Sequence, residues 1–202
     1  MIVGFADSET ERFFRDGDCP ARWRAISKVV ARKLDMLDAA PTLNTLRSPP
    51  GNRLEALNGD RAGQFSIRVN DQWRVCFVWA GGQAHDVEIT DYHQEVEKMI
   101  RRDALDSVDF SDVCTGETIP SVTPGDILRL DFMEPLGLSA RALARDMGVS
   151  PDRVTEIVNG NRSVTAETAI LLGRRLGTTP QFWMNLQTAH DLEKAERTLA
   201  VA

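Results

Sequence analysis

The chain has 202 residues, of which 27% are charged and 42% hydrophobic, and its formal net charge is -6 at pH 7. That length provides for one large domain or two small ones. Its apolar runs fall short of the roughly 18 residues of a membrane span. The N-terminus lacks the charged and then apolar form of a secretory signal. We therefore expect a cytoplasmic protein without a membrane partner.

The negative charge is unevenly distributed. Residues 1–94 carry 12 Lys/Arg and 13 Asp/Glu, residues 95–123 carry 3 and 7, and residues 124–202 carry 9 and 10. Because both flanking parts are nearly neutral, any nucleic-acid binding must come from cations gathered on one face. The three cysteines have no CxxC or Cys/His spacing, and the sequence has no P-loop or dinucleotide-binding glycine pattern. We expect free thiols, no metal site and no cofactor.

The first half begins with a short apolar run at residues 2–5, which suits a strand. Ser8 and Glu11 have the spacing of a capping box that opens a helix. From residue 21 to 39 apolar residues recur at three- and four-residue steps, which predicts an amphipathic helix lying on a sheet. Pro41 closes that helix.

Three alternating segments follow at residues 64–69, 73–79 and 85–90, separated by Asn-Asp and Gly-Gly turns, which predicts an antiparallel meander. Phe65, Ile67 and Val69 point to one side, as do Val75, Phe77 and Trp79, so these residues should pack on the helices. Arg68 then points to the opposite face, and Arg74 alternates with the inward residues of its own strand. A free face that carries arginines beside strand ends suits an anionic ligand.

The last of these segments ends in Asp91, Tyr92 and His93. Metal-free RNA cleavage needs a base for the 2′-hydroxyl proton, an acid for the leaving oxygen and cations for the charged transition state. His93 titrates near neutral pH and suits the acid or base role. Asp91 could orient it, Tyr92 could stack on a base or assist proton transfer, and Arg68 and Arg74 could hold the phosphate.

The segments LRSPPGNRLEAL (residues 46–57), GQFSIRVNDQWRVCFVW (63–79) and DVEITDYH (86–93) closely resemble HigB toxins of the RelE-like group of ribosome-dependent mRNA endonucleases. The resemblance covers residues 1–94 and implies a compact domain that enters the ribosomal A site and cuts mRNA. The catalytic residues that it implies are His93, Tyr92, Asp91, Arg68 and Arg74, and the RNA phosphate contacts are Arg47, Arg53 and Arg61. Some relatives carry a second histidine near Arg53, and its absence here argues against a two-histidine mechanism.

Residues 95–123 are acidic, have few apolar anchors and are predicted to be a linker between a toxin domain at 1–94 and a second domain at 124–202. Asp106, Asp109 and Asp112 in this linker could screen the arginine face.

The second half is organised around LSARALARDMGVSPDRVTEIVNGNR (residues 138–162). Ala144, Gly148 and Val154 have the A-x3-G-x5-V spacing that lets two short helices cross at a glycine turn, as in a helix-turn-helix. Ser139 should cap the first helix and Ser150 the second. A plain αα-hairpin would use the same apolar positions but needs no polar outward face. The residues predicted to reach DNA are Ser150, Asp152, Arg153, Thr155 and Glu156.

Helix signals at Thr123, Thr165 and Thr179 predict five helices in all. The segments IPSVTPGDIL, LSARALARDMGVSPDRVTEIVNG and TTPQFWMNLQTAHDL resemble HigA antitoxins of the XRE repressor group over residues 117–202. The resemblance implies a lambda-repressor-like bundle that binds operator DNA as a homodimer. Phe182 and Trp183 are expected in its core. The overall fold class is therefore α+β, an N-terminal RelE-like antiparallel sheet with helices followed by an all-α domain.

Three functions are compatible with these patterns. The first is a type II toxin-antitoxin module in one chain, with an mRNA-cleaving part held in check and an autorepressor part. The second is a DNA-binding repressor whose toxin part has lost catalysis. The third, an unrelated enzyme with an accessory DNA-binding domain, would need a cofactor signature. We favour the first, with toxin and antitoxin parts in contact within one chain or swapped between two chains.

Overall fold

The computed structural model describes residues 1–91 and 122–200. Within them the chain forms two compact units: a sheet unit of residues 2–34 and 54–91, and a helical unit of residues 35–53 and 122–200. The predicted linker at 95–123 lies almost wholly outside the described residues, as do Tyr92, His93 and Cys114. Cys19 and Cys76 form no disulfide bond in the described part of the chain.

The sheet unit contains four antiparallel strands in the order β1-β2-β3-β4. Their bounds are β1 Glu55–Ala56, β2 Gln64–Arg68, β3 Trp73–Ala80 and β4 Gln83–Asp91. The three longer strands confirm the predicted meander, whereas β1 is too short to show in the sequence pattern. The predicted N-terminal strand is reduced to isolated parallel bridges, from Ile2 to Ala84 and from Phe5 to Val87.

The strand register separates an apolar face from a polar one. Phe65 pairs with Phe77 and Ile67 with Val75. Directly opposed residues share a face, and Ile67, Val75 and Phe77 have no exposed surface. The predicted inward set is therefore confirmed at these positions. A bulge shifts the β3–β4 register between Cys76 and Val78, which is the usual way in which a paired strand takes up an extra residue.

Helix α1 (Ser8–Asp16) is capped one residue earlier than the sequence suggested. The Asp7 carboxylate accepts the backbone N–H of Thr10 at 2.7 Å, so the expected capping box starting at Ser8 is wrong. Asp7 is favoured over Ser8 as the N-cap because a carboxylate is a strong acceptor that also interacts favourably with the helix dipole.

The predicted helix over residues 21–39 is divided in two. A 3₁₀ helix (Ala21–Ile26) leads into α2 (Ser27–Ala39). The tighter first segment buries Trp23 completely, and its ring packs edge-on against Phe13 at 5.7 Å and Trp73 at 6.4 Å between centroids. Such edge-to-face pairs add stability beyond the area that they bury.

The helical unit has the five predicted helices. Thr123 and Asp126 form a complete capping box at the start of the first, and Thr165 caps the fourth. The bounds are α3 Pro124–Ile127, continued by a π-helical segment Leu128–Met133, then α4 Ala140–Met147, α5 Pro151–Val158, α6 Ala166–Leu176 and α7 Pro180–Ala200. Phe182 and Trp183 are buried beside Phe132 as predicted.

Helices α3 and α5 meet at Gly125. A Cβ atom added there would lie 2.0 Å from the carbonyl oxygen of Ile157, far closer than van der Waals contact. Glycine is therefore needed for this approach, which brings the start of α3 against the end of α5.

The helical unit also includes residues 35–53, which the sequence placed in the first domain. Met36 and Ala39, at the end of α2, are buried in the same apolar cluster as Phe132 and Leu186. The side-chain amide of Asn185 on α7 donates to the carbonyl oxygen of Ala39 at 2.9 Å.

A second hydrogen bond joins the same segment to the end of α6. The Ser48 hydroxyl donates to the carbonyl oxygen of Gly177, the residue that caps α6. Together with Met36 and Ala39, this contact makes residues 35–53 part of the core and surface of the helical unit.

A carboxylate of this segment lies in an unfavourable setting. The pKa of Asp35 is raised from 3.8 to about 8, chiefly by burial and also by the nearby carboxylates of Glu193 and Asp38. Glu193 belongs to α7 and Asp38 to α2. Like charges therefore meet where residues 35–53 pack in the helical unit, and the protonated form of Asp35 is favoured at neutral pH.

Candidate nucleic-acid interfaces

The polar face of the sheet carries a pair of opposed arginines. Arg68, the last residue of β2, lies directly across from Arg74 on β3. Ser66, Cys76 and Thr90 continue this face in the cross-strand register. Like charges directly opposite each other destabilise a sheet, so stability alone does not account for two cations here. Two guanidinium groups in opposed positions suit an anionic ligand that both could contact.

Each arginine is held by an acidic side chain and by a neutral acceptor. Arg68 contacts the Asp71 carboxylate and donates from Nε to the carbonyl oxygen of Asn70 at 3.1 Å. Arg74 places Nη1 3.5 Å from a Glu55 carboxylate oxygen and 3.5 Å from the Ser66 hydroxyl. These contacts fix the two guanidinium groups before any ligand binds.

Arg61 has a different environment. Its guanidinium contacts the Glu88 carboxylate on β4, and Nε donates to the side-chain oxygen of Gln64 at 2.8 Å. The Arg61 and Glu88 side chains are only 20% and 26% exposed. This predicted RNA contact therefore bridges from the turn before β2 to β4.

Asp91 lies on the other side of the sheet from the arginine pair. It is paired with Trp73, one residue out of phase with Arg74, and it is buried. Its carboxylate accepts a hydrogen bond from the Gln72 amide at 2.6 Å. The Asp91 carboxylate is therefore better placed to orient the residues that follow it than to contact a phosphate held between the two arginines. The neighbouring predicted residues Tyr92 and His93 lie outside the described part of the chain.

Arg47 and Arg53 belong to the segment that packs in the helical unit. Arg47 ends a 3₁₀ helix (Leu43–Arg47), and both side chains are exposed. Arg53 adopts a φ of 45°, an unusual value for a residue with a side chain. These two predicted RNA contacts therefore do not share a unit with Arg68 and Arg74.

Helices α4 and α5 form the predicted helix-turn-helix around Gly148. That residue caps α4 with a φ of 68°, a left-handed conformation that favours glycine. Ser139 caps α4 through the backbone N–H of Ala142 at 3.1 Å. Ser150 occupies the N-cap of α5 but makes no side-chain capping bond, so that part of the expectation is wrong. Its hydroxyl does not accept from the first turn of α5.

The outward face of α5 is polar and accessible. Val154 and Ile157 are buried, whereas Ser150, Asp152, Thr155 and Glu156 are exposed. This pattern favours a DNA-reading helix over a plain αα-hairpin, because a hairpin needs only the buried positions.

Two arginines lie beside the predicted DNA contacts. Arg153 is partly covered, with Nη1 3.5 Å from a Glu167 carboxylate oxygen. Arg162 binds Glu156 at 2.7 Å. Sequence reasoning did not nominate Arg162, because it lies beyond the Asn-Gly stop and only the fold brings it back to α5.

Sequence reasoning also missed the carboxylates that meet the arginine pair. Glu55 and Asp71 lie on a two-residue strand and a turn, and no spacing rule connects them with Arg74 or Arg68. Among residues 1–91 and 122–200, no three His, Cys, Asp or Glu side chains are grouped as a metal site. The helices in those ranges include none with the length and apolar character of a membrane span.

Comparison with known families assigns each part of the chain. The family described as a RelE-like toxin of the type II toxin-antitoxin system HigB matches residues 3–93, and a helix-turn-helix family matches residues 131–183.

Named relatives give the same division. The chain is 43% identical to toxin HigB-1 of Vibrio cholerae over 88 residues, which is 42% of this chain and 90% of the toxin. It is 45% identical to antitoxin HigA-1 of the same organism over 71 residues, which is 35% of this chain and 67% of the antitoxin. A solved structure of Pseudomonas aeruginosa antitoxin HigA with the higBA promoter is 43% identical, with a TM-score of 0.38, and the match covers 38% of this chain and 84% of that one. The chain therefore belongs to the HigB-like toxins in its N-terminal part and to the HigA-like helix-turn-helix antitoxins and repressors in its C-terminal part, fused in one polypeptide.

Proposed function

We propose that this fused chain is a self-restrained cytoplasmic module. Its toxin part cleaves ribosome-bound mRNA when released. Its antitoxin part holds the toxin part inactive and, as a homodimer, binds operator DNA to repress its own synthesis. The catalytic proposal depends chiefly on one observation, the opposed Arg68 and Arg74 on the polar face of the sheet.

The proposed reaction needs no metal or cofactor. A base removes the proton of an RNA 2′-hydroxyl, the 2′ oxygen attacks the adjacent phosphorus, and the 5′ oxygen leaves with a proton from an acid. Arg68 and Arg74 stabilise the extra negative charge on the phosphate oxygens. We assign proton transfer to His93, with Tyr92 beside it, and a positioning role to Asp91, because Asp91 is buried on the opposite face.

The repressor proposal rests on α5. A recognition helix presents its N-terminal residues to base edges in the major groove, and Ser150, Asp152, Thr155 and Glu156 are exposed. Arg153 is the proposed base or phosphate contact among them. Dimeric repressors of this architecture read half-sites about 34 Å apart, which supports a homodimer on a palindromic operator.

Restraint of the toxin part is proposed to act through residues 35–53. The toxin family covers this segment, yet Met36 and Ala39 are buried with residues of the antitoxin part. Because both parts belong to one chain, their effective concentration is high and a modest interface stays closed. Exchange of the same contacts between two chains would give a swapped dimer with the same restraint.

A translation assay with the whole chain tests the proposal. Asn185→Ala with Ser48→Ala removes the two hydrogen bonds that join residues 35–53 to α7 and to the end of α6, and it leaves the apolar contacts in place. We expect reporter mRNA in a reconstituted translation system to be cut at least tenfold faster than with the unaltered chain, as read by primer extension. His93→Ala in the same background should abolish the cuts. A released and folded chain that leaves the mRNA intact contradicts the proposal.

One observation favours the second function, a repressor with a catalytically silent toxin part. Met36 and Ala39 belong to the toxin-like part but are buried in the core of the helical unit, so the toxin-like part would be needed for stability even without catalysis. In that case the unaltered chain binds its operator tightly, whereas neither it nor the released variant cuts mRNA under any condition of the assay above.

A further inference from the structure

The proposed RNA site already holds two carboxylates. Asp71, in the turn between β2 and β3, contacts Arg68, and Glu55, on the edge strand β1, lies beside Arg74. Carboxylate oxygens and phosphate oxygens offer the guanidinium group the same acceptors in similar geometry. An RNA phosphate and these carboxylates therefore compete for the same donors.

The exposed fraction of each side chain shows which partner of the Arg68–Asp71 and Arg74–Glu55 ion pairs is held in place. The side chains of Arg68 and Arg74 are 24% and 16% exposed, whereas Asp71 is 92% and Glu55 54% exposed. The arginines keep their bonds to the Asn70 carbonyl and the Ser66 hydroxyl if the carboxylates leave. The carboxylates can turn into water because their own side chains are largely exposed, and the incoming phosphate then takes over the arginine that each of them leaves.

The third ion pair of this sheet is built differently. Arg61 and Glu88 are covered to a similar degree, and Arg61 is bound also by Gln64. Glu88 is itself largely covered, unlike Asp71 and Glu55, so turning it away would break an ion pair that has little access to water, which is costly. This pair therefore holds the turn before β2 to β4 and is not open to exchange.

We propose that Glu55 and Asp71 are placeholder carboxylates, which neutralise Arg74 and Arg68 in the free protein and are displaced by an RNA phosphate, while Arg61 stays with Glu88. This inference rests on the proposed function of the sheet face. The placeholders relieve repulsion between the opposed arginines and lower the affinity for stray polyanions. RNA that gains further contacts elsewhere overcomes that competition.

Binding of a labelled single-stranded RNA 12-mer to the full chain tests the inference, with fluorescence anisotropy over a range of KCl concentrations. Glu55→Gln with Asp71→Asn should bind about tenfold more tightly at low salt. Each phosphate that gains an arginine should steepen the dependence of log Kd on log salt by about 0.7. Glu88→Gln is the matched control and should leave affinity unchanged while it lowers the melting temperature.

The helix-turn-helix part could also bind the RNA probe, so the experiment needs a variant that removes the two arginines of the sheet. Arg68→Ala with Arg74→Ala should cancel the gain from the placeholder variants. If the gain persists without the arginines, the inference is wrong. If the arginine variant weakens binding but the carboxylate variants do not strengthen it, only the inference fails. If the arginine variant changes nothing, the proposed RNA site fails and the inference fails with it.

Discussion

The two proposed nucleic-acid surfaces handle charge in opposite ways. On the sheet, Arg68 and Arg74 are largely covered and each meets a carboxylate. On α5 the outward residues Ser150, Asp152 and Thr155 are exposed. The difference indicates that the sheet face is built to hold one kind of charged group in a fixed geometry, whereas the helix face presents varied polar groups for sequence reading.

A third location in the same chain brings carboxylates close to one another. Asp35 faces Asp38 and Glu193 without the arginine that each carboxylate on the sheet face has, and its pKa is raised to about 8. The sheet face is therefore balanced, whereas the packing of residues 35–53 in the helical unit contains repulsion. Stability of that packing should depend on pH.

The largest expected effect is loss of the sheet cations. Arg68→Ala with Arg74→Ala, placed in the released Asn185→Ala and Ser48→Ala background, should slow mRNA cleavage by at least ~100-fold, because preorganised transition-state donors contribute on that scale. Primer extension on ribosome-bound reporter mRNA measures it.

Operator affinity should not change in the same protein. Arg15→Ala, which removes an exposed arginine of α1 paired with Glu11, is the matched control and should cleave normally. Equal loss of cleavage and of operator binding would contradict two separate surfaces.

Gly125→Ala should act only on the helical unit. The added Cβ would lie 2.0 Å from the Ile157 carbonyl oxygen, so α3 must move away from the end of α5. Overpacking of this kind costs about 1–3 kcal/mol. Calorimetry of the full chain should show a lower melting temperature for the helical unit, and operator binding should weaken near that temperature while RNA binding persists.

Gly51→Ala is the control for that change. Gly51 also belongs to the helical unit, but nothing lies within 4 Å of an added Cβ and its φ is not in the left-handed region. Its melting temperature should match that of the unaltered chain. A melting temperature of Gly125→Ala equal to that of this control would mean that α3 and α5 are not closely packed.

The two faces of the sheet could be predicted from the sequence because side chains alternate along a strand with a period of two. Phe65, Ile67, Val75 and Phe77 could be assigned to one face before any strand pairing was known, and Arg68 to the other. The cap of α1 was missed because Asp7 and Ser8 are both good capping residues and stand side by side. Local signals of equal strength leave a one-residue ambiguity.

The packing of residues 35–53 could not be predicted for a different reason. Periodicity predicts an apolar face of α2 that includes Leu34 and Leu37, but Met36 is not part of that pattern, and nothing in it shows which element covers Met36. The partners Leu186 and Asn185 lie some 150 positions away. The pairing of Glu55 with Arg74 is hidden in the same way, since β1 approaches β2 through only two residues.

Arg153→Ala tests the proposed DNA-binding surface of α5. Loss of one base or phosphate contact costs about 1–3 kcal/mol, which corresponds to binding weaker by roughly fivefold to roughly 150-fold. Gel-shift titration with DNA from upstream of the coding region measures it. Arg197→Ala, on α7 and paired with Glu193, is the control, and equal weakening by both variants would argue for a general loss of charge.

The smallest expected effect concerns Asp35. Its folded pKa of about 8 lies above the ordinary value of 3.8, so the folded state binds the proton more tightly than the unfolded state does. The stabilising contribution is complete below about pH 4 and is lost as pH rises towards 8. Asp35→Asn should therefore raise the melting temperature of the helical unit at pH 8.5, by the equivalent of ~1 kcal/mol or more, and change it little at pH 4.

The causes of the raised pKa provide a second variant. Glu193→Gln removes a carboxylate that raises the pKa of Asp35, so the loss of stability with pH should become smaller but should not disappear, because burial is the larger cause. Asp152→Asn, on the exposed face of α5, is the control and should follow the unaltered chain at every pH. Parallel pH profiles for Asp35→Asn and the unaltered chain would show that Asp35 is ionised in the folded protein. Residues 35–53 would then pack in the helical unit without the repulsion inferred from the three carboxylates.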